Sequence, residues 1–372
     1  MYIVNDDIDE SFTIYQVTML TMEQCIRETP IRMMEIVENH QNLFKEVVKN
    51  RYQKIIITGS GSSYHAGVAA KECMLKYMQI PVEVLYPFEI ESYIFQNSQT
   101  TLVIGISQSG TSLSTYRAMK RAKKHGCHIA SMSGRDDNAV VLNEVADYIL
   151  TVKCGEEGDL QPKTKGMLCT IANLMLLGVY WAKTYGIIDQ TAYKKFLQSY
   201  KNVSNNLISI VDDAEQWIQK NGKTLVKAKD IRVVGTKDVF GITLEGSLKL
   251  VETLRVPVSG YEFEEFTHGI YNAINDSSYL FLLDTNVEPR VETLKTVLSQ
   301  WTNNIVIIGT KLTDKKDFYV NSLKKKDFVS FEYIILLFMI CEKVSALKGI
   351  DIQTTKDASF HAKLGSKILR DE

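Results

Sequence analysis

Short apolar runs of strand length alternate along this chain with stretches in which apolar residues return every three or four positions. Two runs set the theme. Lys54-Ile55-Ile56-Ile57-Thr58 flows into Gly59-Ser60-Gly61-Ser62-Ser63, and Leu102-Val103-Ile104-Gly105-Ile106 flows into Ser107-Gln108-Ser109-Gly110-Thr111-Ser112. Helical spacing covers Ala66 to Met78 and Thr243 to Leu254, and a further helical run extends from Ile31 to Lys49. The most apolar stretches, Ile171 to Ala182 and Tyr333 to Cys341, are shorter than a bilayer requires and read as core helices. Each is followed by a glycine, Gly186 and Gly349, read as a helix C-terminal signal.

The pattern repeats. Sliding the chain by 176 residues brings Ile55 to Gly59 over Ile231 to Gly235, Pro81-Val82 over Pro257-Val258, Glu89 over Glu265, and His128-Ile129-Ala130 over Asn304-Ile305-Val306. Each copy reads β-α-β-α-β-α, which predicts a parallel sheet covered by helices on both faces. The fold class is therefore α/β, with two similar three-layer αβα units. Residues 1–34 are expected to be an N-terminal helical segment, 35–200 the first unit, 201–350 the second and 351–372 a C-terminal tail.

Two units also suit a chain of 372 residues. Charge is balanced, 43 basic against 44 acidic residues, and no basic block exceeds Lys324-Lys325-Lys326, which argues against nucleic acid as a partner. The first fifty residues show no convincing helix-turn-helix. Six cysteines lie far apart with no Cys-x-x-Cys pair, as expected of reduced, buried thiols. The acidic start Met1-Tyr2-Ile3-Val4-Asn5-Asp6-Asp7 does not read as a secretion signal, and the expectation is a cytoplasmic protein without a membrane partner.

The serine-rich turns carry the candidate chemistry. Glycine admits an anion close to the backbone, amides at the following helix start point at it, and hydroxyls add neutral donors. Either turn alone is also what an ordinary strand-to-helix connection provides; the pair points to a phosphate cradle. Neither turn contains a lysine, so a small phosphorylated metabolite fits better than a nucleoside triphosphate. The second copy lacks the serines: Thr236-Lys237-Asp238-Val239 replaces Ser60 to Ser63, and Asp284-Thr285-Asn286 replaces Ser107 to Ser109. It offers instead a charged helix in which Lys249 and Glu252 share a face, followed by Glu265 and His268-Gly269. Alone, the Lys249–Glu252 pair is a surface ion pair of small value and His268 a loop histidine.

Taken together, Gly61-Ser62-Ser63-Tyr64, Ser107-Gln108-Ser109-Gly110, Lys163-Thr164-Lys165, Leu244 to Glu252 and His268-Gly269 resemble the double SIS (sugar isomerase) proteins. These include the isomerase half of glucosamine-6-phosphate synthase and the fructosamine-6-phosphate deglycases. The 16-residue step from Glu252 to His268 is the family's spacing of base and histidine. The resemblance implies flavodoxin-like units in which Ser63, Ser107, Gln108, Ser109 and Ser112 bind a 6-phosphate, with Ser62 near the sugar hydroxyls and Gly61 and Lys165 in the same binding set. It makes Glu252 the base that moves a proton between C1 and C2, Lys249 its electrostatic support and His268 an aid to ring opening. It implies no metal or cofactor. It also implies a homodimer or higher homo-oligomer in which His268 completes the partner's site.

The tail departs from the synthase pattern, lacking its proline and arginine, and Lys356 and Lys363 read as solvated lysines. No glutaminase segment precedes the first unit as read here, so the expectation is not the complete synthase. The Gly155 to Gly166 segment, with lysine before Thr164-Lys165, is expected at the mouth of the site. The leading expectation is a deglycase acting on a fructosamine-type amino acid–sugar 6-phosphate. The alternatives are a glucosamine- or N-acetylhexosamine-6-phosphate deaminase or isomerase, and a non-catalytic phosphosugar-binding regulator.

Overall fold

The computed structural model describes residues 20–368 apart from 96, 136 and 158–161. Among the described residues ten strands form two parallel five-stranded sheets. The first contains β1 (Lys54–Thr58), β2 (Val82–Leu85), β3 (Thr101–Ile106), β4 (His128–Ser133) and β5 (Tyr148–Thr151), in the order β2-β1-β3-β4-β5. The second contains β6 (Asp230–Gly235), β7 (Val258–Glu262), β8 (Ser278–Asp284), β9 (Ile305–Gly309) and β10 (Phe318–Tyr319), in the order β10-β9-β8-β6-β7. Read from β7, this is the same winding. Ile55 pairs with Val82 and Ile231 with Val258, so the 176-residue repeat is also a structural register.

Alternation along each strand sorts its side chains into two cores. Ile55 and Ile57 of β1 and Ile231 and Val233 of β6 enter one large core shared by both sheets, while Ile56 and Val234 turn outward into smaller clusters. The shared core is filled by α2 (Ser62–Met78), α4 (Lys165–Thr184), α6 (Phe240–Leu254), the short α9 (Val329–Tyr333) and α10 (Ile335–Leu347). Helix α4 is apolar enough over its length to match a bilayer core, yet nearly all of it is buried between its neighbours. The outer face of the first sheet is covered by α3 (Leu113–Lys124), and that of the second by α7 (Phe263–Thr267) and α8 (Val291–Leu298). Helices α2 and α6 approach closely where Gly241 meets Ala69: a Cβ at Gly241 would stand 2.4 Å from the Ala69 amide nitrogen.

Two helices tie the halves together. Helix α1 (Met22–Phe44) packs on α4 and on α5 (Gln190–Leu225), whose 36 residues span about 54 Å. Tyr193, Phe196, Tyr200, Val203, Leu207, Ile210, Ala214 and Trp217 step by threes and fours along α5, a heptad seam that faces the core. The expected boundaries at 34/35 and 200/201 therefore fall inside α1 and α5, because one buried seam cannot be divided between independent units. Gly186 and Gly349 take φ of +69° and +68° just past α4 and α10, where Ile187 and Ile350 donate back to the carbonyls of Ala182 and Ser345.

Candidate active site

Both serine-rich turns lie at the carboxyl ends of β1 and β3, where the strand order reverses and open α/β sheets bind ligands. Gly61, at φ +56°, lets the chain turn sharply into α2, presenting Ser62 and Ser63 in its first turn. The second turn is closed by Gly110, at φ +71° and tight against Val140. Gln108 threads its amide between Gly134 and Gly166 and donates to Cys154 Sγ at 3.3 Å, while the Ser109 and Thr111 hydroxyls pair at 2.8 Å.

Facing these turns, α6 presents Glu245, Lys249 and Glu252 along one edge. Lys249 Nζ lies 2.6 Å from Glu252 Oε2 and 3.7 Å from Glu245 Oε1, and His65 Nδ1 of α2 donates to Glu245 Oε2 at 2.8 Å. The Ser62 hydroxyl also reaches Glu245. Glu245 is fully buried; desolvation pushes its carboxyl up, but Lys249, His65 and Ser62 outweigh this and hold it below the usual carboxylate range. Lys249 is likewise buried, and its two carboxylates overcome desolvation to raise its ammonium above the usual lysine value. Burial pushes the Glu252 carboxyl upward against the pull of Lys249, although 36% of the side chain still opens to solvent. A carboxylate with a raised pKa, open on one side and cation-backed on the other, is suited to accept and return a proton.

A cleft of about 1550 Å³ joins these parts. Gly61, Ser62 and Ser63, then Ser107, Gln108 and Ser109, form one wall, and Lys249 and Glu252 stand on another. Three expected residues lie off this surface. Ser112 caps α3, its hydroxyl accepting from the Thr115 amide at 3.4 Å and hydroxyl at 3.0 Å. Lys165 is fully buried at the start of α4, bonded to Glu28 and the Glu156 carbonyl, so it props the wall from behind. Beside it Glu157 accepts from the amides of Thr164, Lys165 and Gly166 and closes the α4 N-terminus with the chain's own carboxylate. His268 is exposed just past α7, its Nδ1 donating to the Glu264 carbonyl at 2.8 Å.

Other residues on the cleft were not expected there. Arg135 and Arg255 line it, and the tail, read as solvated, folds back so that Lys356, His361 and Lys367 line it too. Lys363 instead pairs with Asp357 on the surface. Of the 155–166 segment, Gly155, Glu156, Glu157, Pro162 and Lys163 line the cleft, and residues 158–161 lie outside the described residues. Among the described residues no cluster of three or more His, Cys, Asp or Glu side chains is arranged to hold a metal ion.

Two doubly wound sheets around a common core, with serine turns on one and a carboxylate–lysine pair on the other, define a class of α/β proteins whose site lies between duplicated halves. The SIS domain family model matches residues 50–180. A crystal structure of a Clostridium difficile 630 protein assigned as a phosphosugar isomerase shares 44% identity, covering 94% of this chain and all of that one, with a TM-score of 0.91. One of a Salmonella typhimurium LT2 protein assigned as sugar-binding shares 38%, over 87% of this chain and 99% of that one, with a TM-score of 0.79. The chain belongs to the SIS domain family. It is also 27% identical over 264 residues to the glutamine–fructose-6-phosphate aminotransferase (isomerizing) of Caldanaerobacter subterraneus subsp. tengcongensis, covering 71% of this chain and 43% of that protein. It spans about half the length of the curated relatives it matches.

Proposed function

We propose that this chain is a phosphosugar enzyme of the aldose–ketose proton-transfer type, and within that class a deglycase of fructosamine-type amino acid–sugar 6-phosphates. The observation that carries the reading is one cleft bounded both by the Ser63 and Ser107-to-Ser109 turns and by Glu252 with its buried lysine. Its volume of about 1550 Å³ exceeds the roughly 300–1,000 Å³ of common small-ligand pockets, leaving room for a second moiety beyond a hexose.

In this reading the hydroxyls and amides of the turns hold the 6-phosphate, and Glu252 takes the C1 proton of the open-chain ketoamine. The electrons form the C1–C2 double bond of an enaminol as the C2 carbonyl oxygen takes up a proton. Returning the proton to C2 while the nitrogen gives one up, balancing that gained by the C2 oxygen, leaves an imine at C1; water adds there, the C–N bond breaks, and the amine departs with one added proton, leaving a hexose 6-phosphate. Lys249 anchors the carboxylate and stabilises its ionised form. We assign His268 a place in the cleft of a neighbouring copy, in keeping with its exposed position.

The test is a panel of phosphorylated Amadori and Heyns compounds, with glucosamine 6-phosphate and fructose 6-phosphate alongside, assayed for hexose 6-phosphate and for free amine. Release of an amino acid is expected, and Glu252→Gln is expected to lower kcat by roughly a hundred- to ten-thousand-fold with little change in KM. Ammonia released from glucosamine 6-phosphate alone would move the assignment to deaminase. Tight sugar-phosphate binding without turnover would leave a binding protein.

A further inference from the structure

A phosphomonoester carries about two negative charges near neutral pH, and the two turns answer it only with hydroxyls and amides. A cation could balance the remaining charge, and the structure offers one from an unexpected direction. The end of the tail lies antiparallel on the second turn: Ile368 donates to the Thr111 carbonyl at 2.9 Å, and Leu113 donates to the Ser366 carbonyl at 3.2 Å. This pairing sets Lys367 directly opposite Ser112. Ser112 itself is committed to capping α3, whereas Lys367 lines the cleft together with Ser107 and Ser109.

Three features make this more than a stray surface lysine. The backbone is held by two hydrogen bonds at its flanking residues, which fix the point from which the side chain extends. Lys367 forms no ion pair among the described residues, while Lys249 and Arg135, also on the cleft, already have carboxylate partners. A cation beside the first turn of α3 is also opposite to what a helix N-terminus favours, a conflict that an anion between the two removes. At its other end the tail is tied to the helix bearing Glu252: Arg255, three residues past it, donates to the carbonyls of Asp351 at 2.9 Å and Thr354 at 2.7 Å. The tail thus runs as a strap from the base helix to the phosphate turn.

We propose that Lys367 is the counter-charge of the phosphate site, supplied by the C-terminal strap to a cradle that has no cation of its own. The inference rests on the phosphosugar reading above and adds to it a binding residue outside both serine turns. Its ammonium donates to a phosphate oxygen while the turns hold the others, which ties closure of the strap to the phosphate rather than to the reacting carbons.

The experiment is calorimetric titration of the full chain and of Lys367→Gln and Lys367→Arg with fructose 6-phosphate and with inorganic phosphate, over a series of salt concentrations. For Lys367→Gln the expected result is roughly tenfold weaker binding of both probes, or more, with a shallower salt dependence; Lys367→Arg stays near the parent. Lys367 is exposed, and thermal unfolding of the variants is expected to match the parent. Parent-like affinity and salt slope in Lys367→Gln would overturn the proposal while leaving the phosphosugar reading standing. Failure of the parent chain to take up either probe would remove both.

Discussion

Replacing Lys249 by methionine keeps the length of the side chain and removes its charge from between two carboxylates. Lys249 Nζ is 3.7 Å from Glu245 Oε1 and 2.6 Å from Glu252 Oε2, and both Lys249 and Glu245 are buried. At an effective dielectric near 20, opposite unit charges about 4 Å apart attract by about 4 kcal/mol. Stranding a buried charge by deleting its partner costs about 3–5 kcal/mol in measured cases, and this is the loss of unfolding free energy expected for Lys249→Met at pH 8. The pH dependence follows from the signs. In the parent, Glu245 sits below the usual 4.5, so its contribution is present above that value and lost as pH falls through the folded pKa. Without Lys249, burial dominates and the folded carboxyl rises above 4.5, so protonation relieves the variant as pH falls. The deficit measured by urea unfolding is therefore expected to shrink between pH 8 and pH 5.5. Glu245→Gln in the Lys249→Met background is expected to recover part of the loss, with a coupling energy of about 2 kcal/mol. A deficit below about 1 kcal/mol, or singles that simply add, would refute the view of Glu245, Lys249 and Glu252 as one electrostatic unit.

Because burial raises the Glu252 carboxyl and a base must be ionised, kcat/KM for the substrate found in the panel is expected to climb with pH through a midpoint above 4.5; a midpoint at or below 4.5 in the pH–rate profile contradicts this. Gly241→Val drives a branched side chain into the Ala69 backbone and is expected to cost about 1–3 kcal/mol in urea unfolding, whereas parent-like stability would show that α2 and α6 separate freely. All six cysteines are buried, and desolvation pushes the Cys25 and Cys127 thiols up to about 11 and that of Cys341 to about 12. Ellman's reagent is accordingly expected to label none of them in the folded chain and all six in urea; rapid labelling of even one would place it at a surface.

Most of the fold is readable from periodicity, because strands of a doubly wound sheet are buried on both faces and stand out as apolar runs. Ile55-Ile56-Ile57 is entirely buried, and its copy is offset by 176 residues in sequence and in register alike. Where the reading stopped short, the determinant was contact between distant segments. The heptad seam of α5 was present in the spacing from Tyr193 to Trp217, but only packing against α1 and α10 shows that it spans the join between the halves. The serine turns and the Lys249–Glu252 pair were legible because close backbone approach and a shared helical face are local properties. Lys165 and Ser112 were not separable from true cleft residues, since nothing local reveals that one is spent on Glu28 and the other on a cap. The path of the tail was hidden for a similar reason: an exposed polar segment has no periodicity that says where it folds back, and the exposed Lys356, with Lys367, reaches the cleft through bonds made by Arg255 and Thr111.

The separation of labour between the halves is held by helix packing. Helix α2 begins in the cradle, with Ser62 and Ser63 in its first turn and His65 directly after, while α6 carries Glu245, Lys249 and Glu252 at steps of four and three on one face. The two helices cross with Gly241 against Ala69, and His65 bonds to Glu245 across that seam. The spacing between the serine turns and Glu252 is thereby set inside a close-packed interior, where displacements of an ångström are costly. Loops would not hold it so closely. In the second copy Thr236-Lys237-Asp238-Val239 stands where Ser60 to Ser63 stand in the first. The tail lies outside both sheets and joins the two sides of the cleft, held by Arg255 just past α6 and paired with Ser112 at the second turn.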